Sequence, residues 1–598
     1  MRIPVGRPKR REGLEGHEQQ EHGERHERVE QRERVKLRDR GERVKLRDRG
    51  ERRDRGECHQ RVKRHDRGES QPFTRLALSS PWWRGLAAVA AGALPALAFP
   101  EPSLWWFAYV ALVPWMLLVR SAPTGRRAAV EGWLGGIGFM IAVHHWLIPS
   151  LHVFIVVIAA LLGLMWGPWG WLVWSLLGGT PSPGRAAAAL AIVPSGWLMI
   201  ELARSWEGLG GPWGLLGATQ WEVSPALKLA SVGGVWLVSL LVLAVNTAVT
   251  VLVAVPHART AAVGGGLICA LTTTAVWMWV PQPGQSGRAR VAVVQPGVVD
   301  GMESVERRFA RSEELTRQLA GQNLDLVVWG ESSVGSDLRE RPDLAARLAV
   351  LSRAVGAELL VNVDARRRAG GTGTAGIYKS SVLVGPQGPT GDRYDKMRLV
   401  PFGEYVPARA LLGWATSVGK AAGEDRLRGS RPVVMVLPGD GGLRLGPLVC
   451  FESAFPDMSR RLARDGAQLL IAQSATSSFQ GSWAPEQHAS LAALRAAESG
   501  RPMVHATLTG VSAVYGPDGE RVGGPLGTES STAAVYDIPL ARGTTPYVRF
   551  GDWPVYGALA VLAALCATEG ARSLRRPAPG PGEPPVHTTH ESAGRPGR

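Results

Sequence analysis

Gly446-Pro447-Leu448-Val449-Cys450-Phe451-Glu452-Ser453 is the stretch around which the chain is organised. The apolar run Leu443 to Val449 reads as a strand that delivers one cysteine to its end, and Pro456-Asp457 then opens a helix from Met458 to Arg464. A thiol at such a strand-to-helix turn is expected at the sheet edge, near positive helix-end amides that favour the thiolate. The competing reading is a small thiol buried in a core. No other cysteine occurs between Cys269 and Cys566, so Cys450 has no local disulfide or CxxC partner. The four cysteines, Cys58, Cys269, Cys450 and Cys566, fall in separate segments, which argues against a disulfide framework or a zinc site.

Outward from that turn, residues 288–545 alternate strand and helix. Strands are predicted at Arg290–Val294, Leu324–Trp329, Glu358–Val363, Ser381–Val384, Val433–Leu437, Leu443–Cys450, Gln468–Ala472, Met503–Leu508, Ser512–Tyr515 and Thr532–Asp537. Helices are predicted at Ser304–Ala320, Pro342–Val355, Pro456–Asp465 and Pro485–Ser499. Pro438-Gly439-Asp440-Gly441-Gly442 and Gly516-Pro517-Asp518-Gly519 mark hairpins. The pattern is that of an α/β domain with sheet packed on helices.

The rest of the 598-residue chain has a different character. Residues 1–74 are densely charged, with 23 Lys and Arg against 16 Asp and Glu through Ser70, and Val35 to Arg43 repeats as Val44 to Arg52. Such a segment cannot bury a core and is expected to be a disordered basic tail. Its Arg excess invites a nucleic-acid or headgroup reading, but a solvated tail is the plainer one. No charged-then-apolar segment with a small-residue cleavage site follows Met1.

From Trp82 the chain turns apolar. Segments at 84–100, 104–119, 129–148, 151–178, 186–203, 226–255 and 260–280 form a seven-span membrane domain over 82–280, and an eighth span lies at 553–570 before a disordered cytoplasmic tail, 571–598. Several reach the roughly 20 residues that cross about 30 Å of hydrocarbon. Arg120, Arg126 and Arg127, then Arg185, Arg259, and finally Arg572, Arg575 and Arg576 fall in alternate loops on the side of the basic tail. The positive-inside rule makes that side cytoplasmic, so 288–545 is expected outside the cytoplasm. Glu201 and Arg204 lie three apart on one helical face and are expected to neutralise each other.

Two further groups sit where chemistry is expected. Glu331 follows the apolar strand ending at Trp329, where partial desolvation raises a carboxyl pKa and makes a candidate base. Tyr394-Asp395-Lys396-Met397-Arg398-Leu399-Val400-Pro401-Phe402-Gly403-Glu404-Tyr405-Val406-Pro407 places Lys396 ahead of a rigid segment, where its ammonium can stabilise an oxyanion. Each alone is a weak signal.

In that order, Glu331, the Lys396-to-Tyr405 segment and Cys450-Phe451-Glu452 resemble the nitrilase (carbon–nitrogen hydrolase) superfamily. With the apolar frame, Glu201, Arg204 and Pro212-Trp213, and the segment from Gly543 to Asp552, the chain is similar to that superfamily's integral-membrane branch, the apolipoprotein N-acyltransferase family. The resemblance implies Cys450 as nucleophile, Glu331 as general base, Lys396 as oxyanion-stabilising lysine, and Glu404 and Glu452 as supporting carboxylates. It implies a nitrilase-like αββα sandwich standing on an eight-helix membrane bundle. It also implies an acyltransferase of the cell membrane with a phospholipid donor, a diacylated lipoprotein acceptor and no metal, organic cofactor or nucleic acid. Gly330 stands where the family has Pro, Arg398 where it has His, and His505 and Leu508 where it has Arg and Asn. Ala475-Thr476-Ser477-Ser478-Phe479-Gln480 replaces an aromatic-containing loop. A membrane-tethered amidase and a non-enzymatic scaffold are the competing functions.

Overall fold

The computed structural model describes residues 80–299, 301, 303–368, 375–413, 423–439 and 442–574. The basic tail expected at 1–74, Asp440-Gly441 of one expected hairpin and residues 575–598 lie outside the described residues.

The apolar half is helical. Its helices are α1 (Pro81–Ala93), α2 (Val113–Arg120), α3 (Gly125–Val143), α4 (Phe154–Gly163), α5 (Trp166–Leu177), α6 (Pro183–Arg204), α7 (Ser224–Ala254) and α8 (Arg259–Trp279). Among the described residues, four helices are long and apolar enough to cross a membrane: α6, α7, Pro256–Trp279 and Trp553–Arg572. Two bent pairs raise the number to six if each is one span: α3 with His145–Leu151 at 66°, and α4 with α5 at 41°. The apolar segments expected at 84–100 and 104–119 are shorter helices joined to 3-10 turns at Leu94–Ala98 and Trp105–Tyr109. Pro95 interrupts the first of them by removing an amide donor.

Packing in this bundle depends on large aromatics set against small residues. Trp115, Trp166, Trp169 and Trp197 are fully buried. They meet edge-on, with ring centroids 5.1 Å apart for Trp115 and Trp169 and 5.4 Å for Trp166 and Trp197. Glycines on α3 let α1, α4 and α5 approach closely; a side chain at Gly132 would strike the Trp166 carbonyl at 2.4 Å. Glu131 on α3 is fully buried and accepts from Arg84 Nε at 2.6 Å and Arg127 Nε at 2.8 Å, fastening α1 to α3.

Glu201 and Arg204 bond elsewhere than expected. Glu201 Oε1 accepts from Trp197 Nε1 at 3.0 Å and the Leu216 amide at 2.8 Å, whereas Arg204 Nη2 donates to the Trp213 carbonyl at 2.5 Å. Helical spacing placed both on one face, but the returning loop 206–221 supplies nearer partners.

In the α/β half, β1 (Gly284–Gln295), β2 (Leu326–Trp329), β3 (Glu358–Arg368), β4 (Ala375–Gly385), β5 (Gly388–Asp395) and β11 (Thr532–Arg542) form one sheet, in the order β11-β1-β2-β3-β4-β5. The second sheet has the order β10-β9-β8-β7-β6, from β6 (Met435–Val436), β7 (Arg444–Val449), β8 (Leu469–Ser474), β9 (Met503–Thr507) and β10 (Ala513–Tyr515). Strand alternation builds two cores at once. Val291 and Val293 face Leu445, Val449, Ile471 and Val504 between the sheets, while Ala292 and Val294 pack outward against Phe309, Leu315 and Leu351. Those last residues belong to α9 (Ser304–Arg317) and α10 (Pro342–Val355), which cover the first sheet. Helices α11 (Pro456–Arg464) and α12 (Ala484–Ser499) cover the second, completing an αββα sandwich. Strand β5 was missed from sequence because Pro389 to Arg393 is polar and largely exposed, as an edge strand can be.

The α11–α12 layer is continuous with the bundle. Leu448, Phe455, Leu462 and Leu494 share one apolar core with Val235, Trp236 and Tyr547. Here α7 is kinked: Gly233 and Gly234 leave helical geometry, and Gly234 has φ +68°. The helix restarts at Val235, whose amide is capped by Glu498 Oε1 of α12 at 2.7 Å. A side chain at Gly234 would also strike the Tyr547 ring at 2.6 Å. Gly234→Ala therefore meets both a left-handed backbone and a clash, and it is expected to lower the thermal stability of the detergent-solubilised protein by several degrees. An unchanged melting temperature, measured by intrinsic tryptophan fluorescence, would show that the kink can straighten without cost.

Candidate active site

Strand β7 ends at Val449, and Cys450 takes φ +51°, the left-handed region that a β-substituted residue enters at a cost of about 1–3 kcal/mol. A 3-10 turn, Cys450–Ala454, follows and bends the Glu452 side chain back onto the strand. Glu452 Oε2 accepts the Val449 amide at 2.8 Å. Its Oε1 accepts Tyr394 Oη at 2.7 Å, the Met397 amide at 2.7 Å and the Arg398 amide at 3.0 Å. The end of β7 is thereby tied to the segment that follows β5, which carries Lys396. Two more bonds hold the strained residue: Ser453 Oγ donates to the Cys450 carbonyl at 3.0 Å, and His488 Nε2 lies 3.1 Å from the same oxygen. A carbonyl only accepts, so His488 Nε2 carries a proton, and burial holds the imidazole down to about 4 and therefore neutral.

All five residues singled out from sequence converge here. Lys396 Nζ is 3.2 Å from Glu331 Oε1 and 2.9 Å from Glu404 Oε1, and its side chain is 1% exposed. Glu404 Oε2 also accepts the Val400 amide at 2.8 Å, which fixes the Pro401–Gly403 turn beneath the lysine. The Cys450 thiol and the Glu331 carboxylate lie close enough for each to shift the other's ionisation. Glu331 is placed by its amide, which donates to the Ser474 carbonyl of β8 at 3.1 Å. Gly330 permits this: any side chain there would meet the Leu508 amide at 2.0 Å, so the backbone of β9 occupies the space. Gln473 joins the sheets beneath the site, donating to the carbonyls of Trp329 at 2.8 Å and Leu360 at 3.1 Å.

Two electrostatic expectations are reversed. Burial pushes the Glu331 carboxyl up, but the Lys379 and Lys396 ammoniums outweigh it and hold the group below the ordinary carboxylate range. Burial, and then the Glu331 carboxylate, push the Cys450 thiol up to about 12, so the resting site holds a thiol rather than a thiolate. Burial pulls Lys396 down, yet Glu331 and Glu404 keep it well above its ordinary value. The resting arrangement is a neutral thiol beside a dry carboxylate–ammonium–carboxylate chain. Sequence spacing does not reveal this, because the counter-charges come from other strands.

Lys379 was not singled out from sequence. It stands on β4, and its Nζ lies 3.4 Å from Glu331 Oε1 and 3.5 Å from Asp364 Oδ1. The available signal was a lysine just ahead of the strand predicted at Ser381–Val384.

The departures from the family pattern have local partners. Arg398 forks onto Asp457 at 3.0 and 2.5 Å and covers the Phe455 ring at 4.1 Å. His505 is fully buried, has no hydrogen-bond partner on either ring nitrogen among the described residues, and meets the His488 ring edge-on at 4.7 Å. Ser477 and Ser478 are exposed, while Phe479 packs on Trp146 at 4.9 Å. Trp146 in turn meets Trp213, which donates to Gln487 at 2.8 Å and lies 5.6 Å from the His488 ring. Aromatics from the apolar bundle thus line one side of the residues around Cys450.

Residues 91–248 match the apolipoprotein N-acyltransferase N-terminal domain, and residues 290–545 match the carbon-nitrogen hydrolase family. An apolipoprotein N-acyltransferase of Azotobacter vinelandii is 31% identical to the chain, covering 84% of this chain and 98% of that relative. The chain belongs to the apolipoprotein N-acyltransferase family. Relatives of the same name from Pseudomonas aeruginosa and Geobacter metallireducens are each 30% identical, covering 81% and 80% of this chain and 96% and 94% of their own lengths. A mutant of the Nesterenkonia AN1 amidase, from the nitrilase superfamily, is similar at 22% identity and a TM-score of 0.30, covering 44% of this chain and 93% of that one. Family membership makes this chain an acyltransferase built on a carbon–nitrogen hydrolase fold and a membrane protein.

The charge arrangement has a measurable consequence. Removing the Glu331 charge relieves the thiol, so Glu331→Gln is expected to lower the pH midpoint of iodoacetamide labelling of Cys450. Peptide mass mapping separates this site from the exposed Cys566. An unchanged or higher midpoint in the variant would contradict the electrostatics.

Proposed function

We propose that the protein transfers an acyl chain from a membrane phospholipid to the α-amine of a diacylglyceryl-cysteine lipoprotein, through a thioester on Cys450. The observation that carries this reading is the convergence of buried Glu331, Lys396 and Glu404 on the half-buried Cys450, beside the aromatic surface of the apolar bundle. Glu331 accepts the thiol proton as sulfur attacks the ester carbonyl. The oxyanion forms against Lys396 and a backbone amide near Phe451. Collapse breaks the acyl C–O bond, and the proton on Glu331 passes to the departing lysophospholipid oxygen. In the second half, the lipoprotein amine attacks the thioester, Glu331 takes the amine proton and returns it to sulfur, and the amide is released. The high resting pKa of the thiol fits a concerted transfer, in which charge passes from Glu331 to an oxyanion already facing an ammonium. Glu404 keeps Lys396 charged and aimed, and Glu452 sets the separation of Lys396 and Cys450. No step needs a metal or an organic cofactor.

The membrane frame fits the same reading as eight spans: the four long helices, the two bent pairs, and the shorter apolar runs 81–98 and 105–120. Arg120, Arg127, Arg185, Arg259 and Arg572 then share the cytoplasmic side of the cell membrane, which places residues 288–545 outside the cytoplasm.

Mass spectrometry of lipoprotein N-termini tests the function. Cells relying on this chain are expected to carry triacylated termini. Cys450→Ser is expected to abolish them while the protein still inserts, and Lys396→Ala and Glu331→Gln each to cost about 10²-fold or more. Near-normal triacylation by the Cys450→Ser variant would refute the thioester. Free fatty acid in place of the amide product would identify water as the acceptor and the protein as an amidase. For topology, a reporter active only when exported is expected to be active when fused after Ser286, and a cytoplasmic-type signal would overturn the orientation.

A further inference from the structure

Glu331 has two lysines against it, and the acyl-transfer chemistry above uses only one. Lys379 lies directly opposite Asp364 in the antiparallel register of β3 and β4. Its Nζ is 3.4 Å from Glu331 Oε1, 3.5 Å from Asp364 Oδ1 and 2.5 Å from Ser332 Oγ. Ser332 also donates to Asp364 at 3.2 Å, and its amide donates to Asn362 Oδ1 at 2.9 Å. Ser332 itself has φ +54°, so the turn directly after Glu331 is left-handed and is held by this set of bonds. Lys379 is therefore built into the turn that aims Glu331. Its side chain is only 14% exposed, so it is not a surface charge that happens to lie nearby.

We propose that Lys379 is a second positioning residue for the base: pinned between Asp364 and Glu331, its ammonium keeps the Glu331 carboxylate ionised and directed at Cys450 when the surroundings become acidic. This rests on the reading of Glu331 as the base for acyl transfer. The charges facing Glu331 are Lys379 on β4, Lys396 after β5, Glu404 beyond it and the Cys450 thiol after β7, with Asp364 of β3 behind Lys379 and the neutral His488 of α12 behind Cys450. Three carboxylates share two ammoniums. Without Lys379 they would share Lys396 alone, and one buried carboxyl would retain its proton at a higher pH. A protonated Glu331 cannot accept the thiol proton, so activity would be lost from the acid side. The sign follows from the lysine: it lowers the carboxyl pKa, so its removal raises the acid limb of the rate profile. The benefit suits a site outside the cytoplasm, where the cell does not buffer pH.

The test uses the full-length protein in mixed detergent–phospholipid micelles, with a phospholipid bearing a fluorescent acyl chain and a diacylglyceryl-cysteine peptide. Lysophospholipid release and peptide acylation are followed between about pH 5 and pH 8. Wild type is expected to hold its rate across this window. Lys379→Met and Lys379→Gln are expected to fall by up to tenfold per pH unit at the acid end and to approach wild type, within about tenfold, at the alkaline end. Lys379→Arg is expected to restore the flat profile, since it retains the charge. Lys379→Gln can still hydrogen bond Ser332, so it separates charge from turn geometry. Superimposed profiles, a loss by the same factor at every pH, or a flat profile for the Gln variant would each overturn the role. If wild type released no lysophospholipid at any pH, the acyl-transfer reading itself would fall, and this role with it.

Discussion

The carboxylate of Glu452 is the constraint on which the reactive geometry depends. It takes four donors from two sheets: the Val449 amide on one oxygen, and Tyr394 Oη and the Met397 and Arg398 amides on the other. Removing it would leave two buried and two part-buried donors unsatisfied, at about 1–3 kcal/mol for each buried one. That is enough to hold Cys450 in a left-handed conformation it would not choose alone. Because one oxygen faces β7 and the other faces the segment after β5, the same group sets where the thiol sits relative to Lys396. The strain at the nucleophile and the alignment of the lysine are two results of one interaction.

A second set of buried polar groups attaches the sandwich to the bundle. Glu498 Oε1 accepts the Val235 amide at the kink of α7 and also Arg495 Nη2 at 2.8 Å, while Arg495 Nη1 donates to the Ala454 carbonyl at 2.7 Å. The last residue of the Cys450 turn is thus three bonds from the longest helix of the apolar half. Beside it, Asp552 accepts both Nη atoms of Arg460, at 2.8 and 2.9 Å, and takes Tyr547 Oη and Trp236 Nε1. Burying these charges is costly, and pairing them restores little net stability. Their directionality supplies what an apolar interface lacks, a single docking geometry between the sandwich and the bundle.

Electrostatically, the site is assembled from strands that are distant in sequence. Glu331 follows β2, Lys379 lies on β4, Lys396 lies beyond β5 and Cys450 follows β7, and the ionisation of Glu331 is coupled to each of the other three. A carboxylate at an apolar strand end looks like a raised pKa when read alone. Two ammoniums within 3.4 Å of one oxygen reverse that sign. A thiol at a strand-to-helix turn looks activated when read alone. Burial and the neighbouring Glu331 carboxylate reverse that too.

The sequence by itself determined the elements and the main residues of the candidate site. Apolar runs bounded by turn residues identified nearly all the strands and apolar segments of span length identified the bundle, because side-chain patterning and turn chemistry are local properties, whereas the order of Glu331, Lys396 and Cys450 named the cluster only through its resemblance to a known family. The β5 edge was missed because an exposed edge strand has no apolar pattern to read. Tertiary structure alone decided which charges meet. Glu201 and Arg204 share a helical face yet find nearer partners on a returning loop, and Lys379 reaches Glu331 only because β4 pairs with β3. Gly330 is a departure in sequence and a requirement in space, since the backbone of β9 fills the position of its missing side chain. Distances between strands are set by packing across sheets, and pKa values follow those distances, so neither can be read along the chain.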